Sequence, residues 1–113
     1  MKVVPFSAVL FLVVLLLVSV SGKDYCGTGD YTEDTSATIR FLCPERFNPI
    51  NNCCRRHDHC YDVQAGKERC DDKFCRCLER AVRSKWLCYG TTVGMCAAVK
   101  EFGDWAYEKA GKN

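Results

Sequence analysis

The order of apolar and polar positions predicts an apolar leader followed by a helical domain. Residues 3–20 are apolar with few interruptions. Ser21 and Gly22 follow, and small residues of this kind precede the cleavage site of a secretory signal peptide. We therefore predict a signal peptide over residues 1–22, cut after Gly22, and one domain over residues 23–113. A membrane anchor is the alternative, because the apolar run approaches spanning length, but no polar stop-transfer segment follows it.

The segment before the central cysteines has a mixed pattern. Residues 32–40 are polar and fit a short helix or a loop. Phe41 and Phe47 belong to apolar islands among Pro44 and Pro49, and prolines argue against a long helix here. Two interpretations stay open: a loop that covers the core, or an apolar lip that contacts lipid.

Three helices are predicted in the rest of the chain. The first begins after Asn51 or Asn52, which suit an N-cap, and runs to about residue 65, where Gly66 ends it. The second begins at Cys70 with two acidic residues in its first turn and runs to residue 82 or slightly beyond.

Glycines separate the second predicted helix from the third. Residues 88–94 include two glycines and are predicted to form a turn. An apolar stripe at helical spacing then predicts a C-terminal helix over residues 95–110, in which Gly103 is a weak point. The stripe consists of Met95, Val99, Phe102 and Ala106.

The cysteine content predicts that the helical domain is cross-linked by disulfides. The chain has ten cysteines in 113 residues, and none lies in the predicted leader. An even number at this density is typical of a secreted disulfide scaffold, and a domain this short needs such bridges because its core is small. The formal net charge of +2 argues against nucleic acid as a partner.

The cysteine spacing predicts how the first two helices pair. The residue numbers of Cys60 and Cys70 add up to the same total as those of Cys53 and Cys77, as facing positions do in two antiparallel helices. His57 lies inside this seam, and Asp71 of the second helix falls opposite it. The sequence thus predicts a disulfide-linked antiparallel helix pair with a His–Asp pair between the helices.

The first helix carries a second chemical group on its neighbouring face. Cys54 and Asp58 are four residues apart there, and Cys26 is the natural partner of Cys54. That bridge would bring a glycine-containing loop against the Asp58 carboxylate. Three pairings remain open for the other four cysteines, which are Cys43, Cys75, Cys88 and Cys96.

A carboxylate facing backbone carbonyls makes a site of oxygen ligands only, which suits calcium. We expect the carbonyls of Tyr25, Gly27 and Gly29 to face Asp58. Water or substrate must complete the shell, so we expect weak binding, with a dissociation constant of ~10⁻⁴–10⁻³ M. A zinc site formed by Cys54, His57 and Cys60 is the alternative.

The same arrangement predicts hydrolysis of an ester. His57 can act as a general base on a water molecule while Asp71 fixes its tautomer and stabilises the imidazolium. Calcium would polarise the carbonyl, and the Gly27 N–H is a second candidate donor to the developing oxyanion. A substrate phosphate could also bind the calcium, which favours a phospholipid.

Three blocks of the chain resemble secretory phospholipases A2. Cys-Cys-x-x-His-Asp-x-Cys-Tyr at 53–61 is similar to the family's active-site signature, and Tyr-Cys-Gly-Thr-Gly at 25–29 is similar to its calcium loop. Residues 70–78 resemble the second-helix segment of the bee-venom-like group. The resemblance implies a small disulfide-rich all-α domain with two antiparallel disulfide-linked helices, a calcium loop and a C-terminal helix.

The resemblance also implies the roles of individual residues. It implies His57 as the general base, Asp71 as its partner, and Tyr61 as a hydrogen-bond donor to that aspartate. It implies calcium held by Asp58 and the loop carbonyls, and calcium-dependent release of the sn-2 fatty acid from a phospholipid at a membrane or micelle surface. The implied bridges are Cys26–Cys54, Cys53–Cys77 and Cys60–Cys70.

The chain departs from the family pattern at several positions. Glu68 stands where a cysteine is usual, Cys43 and Cys75 are additional, and only nine residues separate Cys60 from Cys70, too few for the usual β-hairpin. The main alternative is therefore a catalytically weak homologue that binds a protein receptor or channel. A purely structural cysteine scaffold is a third possibility. We expect an extracellular monomer in each case.

Overall fold

The computed structural model describes residues 5–20, 23–27, 32–83 and 86–112, and these residues are arranged as an all-α domain. None of them is in a β-strand, as the sequence predicted. The helices are α1 (Phe6–Val20), α2 (Thr32–Leu42), α3 (Phe47–Asp62), α4 (Lys67–Val82), α5 (Trp86–Phe102) and α6 (Asp104–Ala110), with a 3-10 turn over Pro44–Arg46 between α2 and α3.

α1 lies in the segment predicted to be a signal peptide, and that prediction stays untested. No helix in the described ranges is both long enough and apolar enough to cross a membrane.

α3 begins earlier than the sequence predicted. Its first residue is Phe47, so Asn51 and Asn52 lie inside the helix instead of capping it. Pro49 is tolerated because it falls in the first turn, where backbone N–H groups have no partner within the helix. Phe47 is buried beneath the Arg40 guanidinium, which lies 3.9 Å from the centre of its ring, so Phe47 is not part of an exposed lip.

The turn from α3 to α4 lies earlier in the chain than predicted, and α4 starts earlier. α3 ends at Asp62, and Gly66 is the N-cap of α4 with φ of 108°, a value that glycine adopts without strain. α4 therefore begins at Lys67 and not at Cys70, so Asp71 lies in its second turn. The helix ends at Val82.

α5 corrects two predictions made for the C-terminal third of the chain. The predicted turn over residues 88–94 is helical, because disulfides at Cys88 and Cys96 tether α5 to the rest of the domain and offset the low helix propensity of its glycines. The predicted single helix is divided at Gly103, which separates α5 from α6. Phe102 was assigned to the apolar stripe of the predicted helix, but its side chain is exposed.

Five disulfides hold the helices together. Cys53–Cys77 and Cys60–Cys70 join α3 to α4 in the antiparallel pairing that the spacing predicted. Cys26–Cys54 attaches the segment before α2 to α3. The pairings left open by the sequence are Cys43–Cys88 and Cys75–Cys96, and both bridges reach α5.

The core lies between α2, α3, α4 and α5. Its largest fully buried side chains are aliphatic and come from different helices, Ile39 from α2, Ile50 from α3, and Leu78 and Val82 from α4. α5 contributes Met95 and Val99 at the margin. This core fixes α3 against α4 and thereby places the polar residues that lie between them.

Candidate active site

His57 and Asp71 meet in the interface between α3 and α4. The Nε2 atom of His57 lies 2.8 Å from Oδ1 of Asp71. Both side chains are buried, with 8% and 2% of their surfaces exposed. The rings of Tyr61 and Phe74 lie 4.2 and 4.5 Å from the imidazole, centre to centre, and fix its orientation.

Asp71 accepts hydrogen bonds at both carboxylate oxygens. Oδ1 accepts the Tyr61 hydroxyl at 2.7 Å in addition to His57, and Oδ2 accepts the Lys67 ammonium at 2.8 Å. Burial alone raises the pKa of Asp71, but the hydrogen bonds from His57, Lys67 and Tyr61 outweigh it, so the pKa lies below its ordinary value. Asp71 is therefore ionised at neutral pH.

Burial lowers the pKa of the His57 imidazole, because it disfavours the charged form. The nearby Asp71 opposes this effect without cancelling it. His57 is therefore neutral at neutral pH. Because Asp71 is an ionised acceptor, Nε2 carries the hydrogen, which leaves the lone pair on Nδ1 to accept a proton.

The segment that precedes α2 is attached to α3 at several points. Besides the Cys26–Cys54 bridge, the Asn51 side chain accepts the Tyr25 N–H at 2.8 Å and donates to the Lys23 carbonyl at 2.9 Å. Gly27 has φ of 94°, a left-handed conformation that glycine tolerates best. The predicted ligand Gly29 lies outside the described residues.

Asp58 is the partly buried carboxylate on the α3 face that carries Cys54. Its pKa is raised to about 7: burial contributes most of the increase, the neighbouring Asp62 adds to it, and Lys23 opposes it. A carboxylate in this environment is stabilised as an anion by a bound cation. Asp58 and the attached loop that contains Tyr25 and Gly27 offer oxygen atoms as ligands, and this donor type suits calcium.

The alternative site that includes Cys54 and Cys60 does not suit zinc. Cys54 and Cys60 are both in disulfides, so neither provides a thiolate. Among the described residues, Cys43, Glu45 and Cys88 also lie within ligand distance of one another, but the two sulfur atoms are bonded to each other.

Two residues near the site were not predicted from the sequence. Lys67 is four residues before Asp71 on α4, and this spacing could have indicated the ion pair. Asn51 was interpreted as a helix cap, and only the tertiary structure reveals its contact with the Tyr25 backbone.

A comparison with curated proteins finds two relatives of this chain. A phospholipase A2-like protein of Caenorhabditis elegans is 44% identical over 90 residues, which are 78% of this chain and 52% of that protein. The chain belongs to the phospholipase A2-like family. A basic phospholipase A2, the beta-bungarotoxin A2 chain of Bungarus caeruleus, is 30% identical over 98 residues, which are 79% of this chain and 58% of the toxin chain.

This phospholipase A2-like chain spans little more than half the length of either relative. No family model matches it. No solved structure matches it either. The similarity to the bee-venom-like group is not tested by these relatives and stays a prediction.

Proposed function

We propose that this phospholipase A2-like chain is a secreted, calcium-dependent phospholipase A2. It hydrolyses the sn-2 ester of glycerophospholipids and releases a fatty acid and a lysophospholipid. The observation that supports this most strongly is the 2.8 Å contact between His57 and Asp71, in which a buried, ionised carboxylate orients a neutral imidazole.

His57 acts as the general base in this proposal. Its Nδ1 takes a proton from a water molecule as that water attacks the ester carbonyl. The imidazolium formed in this step is stabilised by Asp71 at Nε2, and Asp71 itself stays ionised because Lys67 and Tyr61 also donate to it. The imidazolium then gives its Nδ1 proton to the glycerol oxygen as the bond between that oxygen and the carbonyl carbon breaks. General-base assistance of this kind contributes about 10²–10⁴-fold to the rate.

Asp58 and the carbonyls of Tyr25, Gly27 and Gly29 are the proposed calcium ligands. When bound, calcium supplies positive charge that polarises the ester carbonyl and binds the substrate phosphate. The Gly27 N–H is a further donor to the carbonyl oxygen. The Cys26–Cys54 bridge and the Asn51 hydrogen bonds orient the loop for these roles before any ligand binds.

The first experiment expresses the full chain in insect cells and tests hydrolysis of mixed phospholipid vesicles with calcium and with a chelator. We expect fatty acid and lysophospholipid only with calcium. His57→Gln should abolish the products, whereas His59→Gln should not, because His59 is exposed on the same helix. Secretion predicts that the protein in the medium begins at Lys23.

A catalytically weak binding protein is the second candidate. The short connection between α3 and α4, residues 63–66, leaves no room for a β-hairpin there, and one relative is a toxin chain. A wild-type protein that binds calcium and yields no product from any vesicle would favour this candidate over the enzyme.

A further inference from the structure

Lys67 occupies a position that helix formation does not explain. It is the first residue of α4, where a positive charge is unfavourable because the helix dipole is positive at that end. Its side chain is nevertheless largely covered, with 20% of its surface exposed. A lysine that is placed and covered against the preference of the helix dipole indicates a contact elsewhere in the fold that requires its charge.

The group that requires this charge is the Asp71 carboxylate. The Lys67 ammonium donates to Oδ2 at 2.8 Å, while Oδ1 accepts from His57 and Tyr61. A buried carboxylate needs both a compensating charge and a full set of hydrogen bonds to remain ionised. The neutral imidazole of His57 supplies no positive charge, and the ammonium of Lys67 does.

Lys67 also connects Asp71 to the corner between α5 and α6. Its ammonium donates to the Val99 carbonyl at 3.0 Å and to the Lys100 carbonyl at 3.4 Å, both in the last turn of α5, and lies 3.5 Å from Asp104 at the start of α6. A helix C-terminus favours a cation. The ammonium is therefore held from two sides.

Gly103 allows this close approach. A Cβ atom at Gly103 would lie 2.7 Å from the Tyr61 hydroxyl and 3.3 Å from Cε of Lys67. Glycine at this corner thus permits two of the three donors to Asp71 to reach it. The break between α5 and α6 is part of the support for the candidate active site.

We propose that Lys67 is a positioning residue for the hydrolytic reaction: it holds the Asp71 carboxylate ionised and oriented toward His57 by joining it to the α5–α6 corner. This inference rests on the proposed function. Lys67 acts through Asp71 and His57 and touches no substrate.

The test compares Lys67→Met with Lys67→Arg, which retains the charge, and with Lys73→Met, which removes an exposed lysine from the same helix. On a dispersed short-chain phospholipid with calcium, we expect kcat to fall about tenfold or more in Lys67→Met, by analogy with residues that orient a metal-ligating histidine. KM should stay unchanged, Lys67→Arg should recover part of the rate, and Lys73→Met should equal the wild type.

A second readout does not depend on activity. The His57 Nε2–H proton, which is hydrogen-bonded to Asp71, should give a downfield proton resonance, assigned by its loss in His57→Gln. It should shift or broaden in Lys67→Met and be unchanged in Lys73→Met. If wild-type protein is inactive yet the resonance responds in this way, the proposed function fails while the positioning role stands.

A double-mutant cycle covers the case in which Lys67→Met also weakens folding. If Lys67 acts through Asp71, Lys67→Met should lower the urea midpoint in the wild type and change it much less in Asp71→Asn, because the two residues are coupled. An equal decrease in both backgrounds would overturn the proposal. So would a wild-type rate and resonance in Lys67→Met.

Discussion

The side chain of Asn51 on α3 is hydrogen-bonded to the backbone of Tyr25, with the Tyr25 N–H 2.8 Å from Oδ1. The same side chain donates through Nδ2 to the Lys23 carbonyl at 2.9 Å. Asn51 therefore connects the predicted calcium loop to the helix that carries Asp58, seven residues further along α3.

Asn51→Ala is expected to weaken calcium binding. It removes two hydrogen bonds that hold the loop, each contributing about 1 kcal/mol. Calcium binding must then order part of the loop, and the free energy that this costs lowers the affinity. We expect a dissociation constant about tenfold higher by calorimetry. Asn48→Ala, which removes an exposed asparagine from the same helix, is the control and should bind as the wild type does. Equal affinities in the two variants would contradict the role of Asn51.

Asp71 should make the stability of the domain depend on pH in acid. Its pKa is lowered in the native state, so the unfolded chain takes up a proton on Asp71 at a higher pH than the native domain does. Its contribution to the free energy of unfolding is complete above the ordinary carboxyl pKa of about 4 and is lost as the pH falls through the lowered value. Urea unfolding at neutral pH and at several acidic pH values measures this dependence.

Asp71→Asn should be less stable than the wild type at neutral pH and should lose less stability in acid. The adjacent Asp72 is a matched control. It forms an ion pair with Lys100 at 3.2 Å, but its side chain is 44% exposed, so the pair contributes little to stability. Asp72→Asn should retain the acid dependence of the wild type. Parallel curves for wild type and Asp71→Asn would rule out the lowered pKa.

The two bridges that reach α5 should differ in their contribution to stability. Cys43–Cys88 spans 45 residues and Cys75–Cys96 spans 21. In the chain-entropy model, the longer loop gives an additional stabilisation of about 0.7 kcal/mol, within a typical contribution of about 2–4 kcal/mol per bridge. Replacing each pair by two serines and measuring urea unfolding tests this. A larger loss for the shorter loop would show that α5 is stabilised by packing around Cys75–Cys96 more than by chain entropy.

Phe41 should affect membrane binding without affecting folding. Its side chain is 85% exposed at the end of α2, next to Arg40, which forms a 2.8 Å ion pair with Asp24 close to the predicted calcium loop. If this part of the surface contacts lipid, Phe41→Ser should lower affinity for phospholipid vesicles about tenfold, since burying a phenylalanine contributes about 1.5–3 kcal/mol.

Variants of two other phenylalanines distinguish a lipid contact of Phe41 from a general loss of exposed apolar surface and from a loss of stability. Phe102→Ser removes an equally exposed ring, 82% accessible, from the end of α5 and should leave vesicle binding unchanged. Phe47→Ser removes a buried ring and should lower the unfolding temperature. Unchanged sedimentation of Phe41→Ser with vesicles would exclude the lipid-contact role of Phe41.

The sequence predicted the helix pair well because that prediction depends on local spacing. Cysteines seven residues apart on each helix allow one antiparallel register, and this register places His57 opposite Asp71. The calcium loop stays a prediction, which rests on the glycines and the cysteine of residues 25–29. The helix boundaries were less accurate, since Pro49 and Gly66 are each compatible with more than one position at a helix end.

The sequence alone therefore determined the all-α class, the pairing of α3 with α4 and the candidate His–Asp pair, all of which follow from residue types at helical periods. Only the tertiary structure decided the course of α5 and the contacts that join Lys67 to the α5–α6 corner. Val99, Gly103 and Lys67 are distant in the chain or unremarkable by type. They come together because the Cys75–Cys96 bridge joins α5 to α4 and the Cys43–Cys88 bridge joins α5 to the segment that follows α2. Spacing along one helix carries no information about which carbonyl of another helix lies beside a lysine.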